Sequence, residues 1–293
     1  MTAVWKGEAG LILLYTGLIS LADAITKDLS GRYAAPQMYV IAGIVVVALC
    51  LGGARLGKTR QTLHTNCPRA MALRSLFTVL ATLCFFLAFR YLPFAQVFLF
   101  IGMMPLFAAL LAGPVLGDTV SPASWGALAA GFLGVVCLFP QGFDDIGVGH
   151  LAAFAAAFLG TVSIVLARFI GRFDAQGIAQ VFYPNLALLV VMAVVLPYVW
   201  KPMSLGDAAW AVGYGVLLFV ARSLLVVALR SLAAHAVTSL MKLQFVWMVV
   251  IGASVFGEWP TLNTYVGVTI VVFSGLFLVY DDQVRRGDAP VRA

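Results

Sequence analysis

A chain of 293 residues in which 62% are apolar and 10% charged, with a mean hydropathy of +1.02, has too few charges for a water-soluble globule, where about a quarter are charged. Its formal net charge of +6 comes from 18 Lys and Arg scattered between apolar runs, which excludes a nucleic-acid-binding face and fits orientation in a membrane. The cysteines (Cys50, Cys67, Cys84, Cys137) and histidines (His64, His150, His235) lack metal-ligand or CxxC spacing, so no disulfide framework, metal or cofactor is expected.

Apolar segments follow one another at about 9–28, 36–53, 71–90, 94–116, 122–140, 150–168, 178–200, 208–229, 236–256 and 262–280. Each approaches the roughly 20 residues that cross a bilayer as a helix. None alternates with period two, and lipid-exposed backbone must be satisfied within its own segment, so an all-α integral membrane protein with ten transmembrane helices is predicted. Ala22-Asp23-Ala24 has the form of a signal-peptidase site, but the first helix is expected to be retained. With the N-terminus in the cytoplasm, Lys6, Arg55, Lys58, Arg60, Arg69, Arg74, Arg168, Arg172, Arg230, Arg285, Arg286 and Arg292 fall inside. Only Lys27, Arg32, Arg90 and Lys201 fall outside, so both termini are predicted cytoplasmic.

Sliding the chain by 140 residues lays five spans over five. Arg90 then meets Arg230, Val97 meets Val237, and Gly117-Asp118 meets Gly257-Glu258. Five is odd, so the second copy would enter from the opposite side, an inverted-topology repeat of the kind that surrounds a midplane transport site. The expected units are 1–140, 149–281 and a cytoplasmic tail, 282–293.

The motifs Ala88-Phe89-Arg90-Tyr91-Leu92-Pro93, Pro105, Leu116-Gly117-Asp118, Gly131 to Gly134 and Phe256-Gly257-Glu258-Trp259-Pro260 give the chain its resemblance to the ten-helix drug/metabolite transporter superfamily, EamA type. That resemblance implies a bacterial inner-membrane exporter of amino acids, aromatic ones among them, with broad substrate choice. Asp118 departs from the usual Glu, and Lys242 from a ninth span that is often uncharged.

Gly52 to Thr59 fits a phosphate-binding loop pattern, but no strand precedes it and a membrane span does, so ATP-driven pumping is not expected. Arg222 and Lys242 are the informative charges, because ionisable groups within spans are costly. A substrate carboxylate would supply their missing anion; alternatively, both snorkel to the headgroups. Asp23, late in the first span, either holds an ammonium group, couples to a proton or ends the helix in solvent. Pro184, between Tyr183 and Asn185, lacks an N–H and can free a backbone carbonyl beside two polar side chains. Phe100, Met104 and Trp247 are expected to give an adaptable apolar wall, and Gln244 and Ser239 to bond the polar end of an α-amino acid. Thr78, Tyr39 and Tyr214, with Tyr15 and Ser163, are further cavity candidates.

The expected function is export of aromatic and other neutral amino acids by alternating access, from a monomer or weak dimer in the lipid bilayer. Efflux of drugs or other metabolites is the alternative. An intramembrane lipid-modifying enzyme is the reading from another class, against which stand the absence of paired carboxylates, HExxH and GxSxG in the sequence.

Overall fold

The computed structural model describes residues 2–56, 63–117, 121–136, 146–174, 177–231 and 244–259, with shorter pieces at 241, 262, 265–267, 269–270, 272–274 and 277. Among them the chain is helical, with no strand. The helices are α1 (Thr2–Ser30), α2 (Ala35–Leu56), α3 (Pro68–Tyr91), α4 (Phe94–Ile101), α5 (Met104–Leu111), α6 (Pro122–Val136), α7 (Val148–Gly171), α8 (Ile178–Val199), α9 (Leu205–Ser231) and α10 (Gln244–Val255). α1, α2, α3, α7, α8 and α9 are long and apolar enough to cross a membrane. Gln96–Leu111, which takes in most of α4 and all of α5, Trp125–Gly134 and Gln244–Val255 are shorter apolar helical stretches.

The fourth apolar segment, expected as one span with a kink at Pro105, is broken. Pro105 has no N–H to give the carbonyl of Ile101, so α4 stops and Gly102-Met103 turns before α5 begins. A π-helical turn, Ala112–Leu116, containing Pro114, then closes the segment. α3 starts with Pro68, where a missing N–H costs nothing.

Packing is close where side chains are absent. A Cβ on Gly215 of α9 would lie 2.9 Å from Val45 and 3.0 Å from the Ala42 carbonyl of α2, and one on Gly43 would lie 2.9 Å from Leu189 of α8. Small residues thus let α2 sit against both neighbours. One buried core joins α1, α3, α4, α5, α7, α9 and α10, and a second joins α1, α2, α3, α8 and α9.

The contacts have a regularity. α3 packs along α7 as α1 packs along α9; α3 meets α8 as α9 meets α2; α5 meets α7 as α10 meets α1. Gly117 and Gly257, 140 positions apart, are the two residues with positive φ among those described, at 68° and 64°. Each ends a helical segment in the left-handed conformation that glycine adopts without strain.

The connections are tied across the molecule. Arg32 donates to Asp207 at 2.6 Å, Tyr33 donates to the same carboxylate at 2.8 Å, and Gln37 bonds the backbone of Lys201. Elsewhere Thr65 and the Asn66 N–H donate to Asp174 at 2.6 and 2.9 Å.

Candidate functional site

Between the two cores lies a cavity of about 170 Å³. Its walls come from α1, α2, α3, α5, α7, α8, α9 and α10, together with Ile101 and Met241. Much of the lining repeats at the 140-residue shift. Arg74 pairs with Tyr214, Thr82 with Arg222, Asp23 with Ser163, Met104 with Gln244, Phe85 with Leu225, and Phe89 with Leu229. Within most of these pairs the chemistry differs, so the cavity is polar in an uneven way.

Two guanidinium groups face it, and both lean on α8. Pro184 lies four residues after Gln180 and has no N–H to give that carbonyl. Arg74 takes its place: its Nη1 donates to the Gln180 carbonyl at 2.7 Å and to Gln180 Oε1 at 2.8 Å. Arg222 Nη1 donates to Asn185 Oδ1 at 2.9 Å, while Asn185 donates to the Val181 carbonyl at 2.6 Å. Arg74, Gln180 and Asn185 are buried, at 7%, 2% and 1% exposure.

Asp23 is the one carboxylate lining the cavity among the described residues. It accepts a hydrogen bond from Gln244 Nε2 at 2.9 Å, which joins α1 to α10. Thr78 and Ser163 share a hydrogen bond of 2.7 Å between α3 and α7. Aromatic surface comes from Tyr15, Tyr39, Phe85, Phe89 and Tyr214; Tyr39 and Tyr214 have ring centroids 6.0 Å apart.

Of the residues anticipated from sequence, Arg222, Gln244, Met104, Thr78, Tyr39 and Tyr214 meet at the cavity, as do Tyr15 and Ser163. Asn185 stands behind Arg222. Three fall elsewhere. Tyr183 packs against Phe182, at 5.3 Å between ring centroids, and beside the small cluster of Met71, Ile170 and Ala179, because adjacent helical positions diverge by about 100°. Phe100 is buried near His150, at 6.2 Å between rings. Trp247 is 41% exposed and its indole lies over Gly17 of α1. Lys242 and Ser239 lie outside the described residues.

Two residues carry more than their sequence context suggested. Arg74 does not mark a cytoplasmic connection; it is buried, because the carbonyl freed by Pro184 gives its charge a partner inside the bundle. Asp23 does not end its helix in solvent but faces the cavity. The signal for Arg74 was present in two distant places, a basic residue early in α3 and a mid-helix proline in α8, with nothing local to join them.

Six helices long and apolar enough to cross a membrane, packed around a cavity lined by both polar and aromatic side chains, define a multi-pass membrane protein. Residues 8–139 match the model of the EamA-like transporter family. The chain is 25% identical over 279 residues to a protein named riboflavin transporter from Vibrio cholerae serotype O1 (strain ATCC 39315 / El Tor Inaba N16961), spanning 94% of this chain and 92% of that one. It is 26% identical over 208 residues to another of that name from Rhizobium johnstonii (strain DSM 114642 / LMG 32736 / 3841), spanning 66% and 64%. A solved crystal structure shares the fold with a TM-score of 0.65 at 19% identity, over 94% of this chain and 98% of that one.

Proposed function

We propose that the chain carries a planar aromatic metabolite across the inner membrane by alternating access, and that a flavin of the riboflavin kind suits the cavity best. The observation that carries this reading is the cavity itself, where aromatic rings and the hydrogen-bonding groups of Arg222, Asp23 and Gln244 converge. A flat tricyclic ring would stack on Tyr and Phe faces, its imide N–H would give to Asp23, and its carbonyls would accept from Arg222 and Gln244. The names of the two relatives favour the same substrate.

At about 170 Å³ the cavity is below the roughly 300 Å³ of ordinary ligand sites, so solute admission requires the helices to part. We read the ten apolar segments as two inverted five-helix halves, 1–140 and 149–281, rocking about this cavity with both termini cytoplasmic. The paired contacts, the paired lining residues and the two left-handed glycines support that reading.

Amino acid export is the second reading. What favours it is the placement of a carboxylate, Asp23, and two guanidiniums in one cavity, as a zwitterion's ammonium and carboxylate would require. Proteoliposomes decide. Labelled riboflavin should exchange against internal riboflavin and be competed poorly by phenylalanine or tryptophan; the opposite ranking selects amino acids, and exchange of neither class rejects both substrates.

A further inference from the structure

We infer that the solute bound most tightly carries an anionic group on its planar body, a carboxylate or a phosphate monoester held between Arg74 and Arg222, so that a flavin would be taken as its 5′-phosphate in preference to neutral riboflavin; this rests on the reading of the cavity as the solute site. Both guanidiniums line that cavity, one from α3 and one from α9. Among the described residues no carboxylate lies within ion-pairing distance of either, and Asp23 is engaged by Gln244. Two charges inside a helical bundle without a counter-charge are costly.

The way they are held says what they await. Gln180 and Asn185 are neutral carboxamides, which orient a guanidinium without cancelling its charge. Each engages only Nη1, and the remaining Nε and Nη2 edge of both forks has no acceptor among the described residues. Nε of Arg74 is buried without a partner, a penalty that an acceptor at that edge would remove. The edge formed by Nε and Nη2 presents two parallel N–H bonds, the geometry that carboxylate and phosphate oxygens match. A neutral carbonyl would satisfy one donor and leave the charge standing.

Two probe pairs that differ in charge test this on the purified full-length protein in detergent: riboflavin 5′-phosphate against riboflavin, and indole-3-acetate against indole-3-acetamide. At least one anion should bind about tenfold tighter than its neutral counterpart, and Arg74→Gln or Arg222→Gln should remove that preference. Preference within the flavin pair assigns a phosphate, and within the indole pair a carboxylate. Should Arg74→Gln fail to fold, Arg74→Lys, which keeps the charge and loses the fork, should weaken the preference; the wild-type comparison alone suffices to overturn the proposal. Equal binding within both pairs, or binding of none of the four, overturns it. Counterflow in proteoliposomes separates the two levels: solute exchange without anion preference rejects the anion site alone, and anion preference without exchange of any solute rejects transport alone.

Discussion

Lys27 and Glu258 lie 2.9 Å apart, an ion pair between α1 and the segment that follows α10. Glu258 also accepts the Phe94 N–H at the start of α4, at 2.8 Å, and Lys27 donates to the Leu92 carbonyl at 3.1 Å between the rings of Phe94 and Phe256. One carboxylate thus caps a helix of the first half and holds a cation of α1. Glu258→Gln keeps an acceptor for Phe94 and should cost no more than about 1 kcal/mol, since a partly exposed ion pair contributes little. Glu258→Ala leaves that N–H unpaired and should cost about 1–3 kcal/mol. Thermal denaturation in detergent reads both; equal losses would mean that the cap contributes nothing.

Pro184→Ala restores an N–H that competes with Arg74 for the Gln180 carbonyl. Helix propensity favours the change, so the melting temperature should hold or rise. Solute affinity should fall about tenfold, because a hydrogen bond that orients a charged group is lost. Equal affinity in the variant would show that Arg74 needs no freed carbonyl.

Asp23→Asn preserves an oxygen for Gln244 and removes the carboxyl group from the cavity. Stability should change by less than about 0.5 kcal/mol, while riboflavin counterflow should need about tenfold more solute for half-saturation. Asp23→Leu strands the Gln244 amide and should destabilise by about 1–3 kcal/mol. If Asn and Leu behave alike in thermal denaturation, the bond between α1 and α10 is not a structural tie.

Gly215→Ala would place a methyl 2.9 Å from Val45, and Gly43→Ala one 2.9 Å from Leu189. Each should cost about 1–3 kcal/mol by overpacking. Gly213→Ala, with nothing within 4 Å, should be neutral or stabilising by up to about 1 kcal/mol. Melting temperatures of the three variants, measured side by side, check the contrast.

Six of the ten expected spans stand in the fold as helices long and apolar enough to cross a membrane, and these were legible because a bilayer imposes one length and one composition on each of them. Breaks were legible where proline stands: Pro105 ends α4 early, and Pro184 frees a carbonyl as its chemistry requires. Partners were not legible. Arg74 follows a run of basic residues and reads as one more of them until α8 is laid beside α3. Tyr183 and Pro184 are neighbours in sequence, yet the first packs with Phe182 and the second reaches the cavity, a distinction set by helix rotation that local composition does not record.

Gln180, Pro184 and Asn185 share one helix, and through it two arginines 148 positions apart in sequence, one on α3 and one on α9, are oriented. An axial slip of α8 by a single residue, about 1.5 Å, would re-aim both forks at once. The helix is placed as a common tiller, through which a load on either arginine would reach the other.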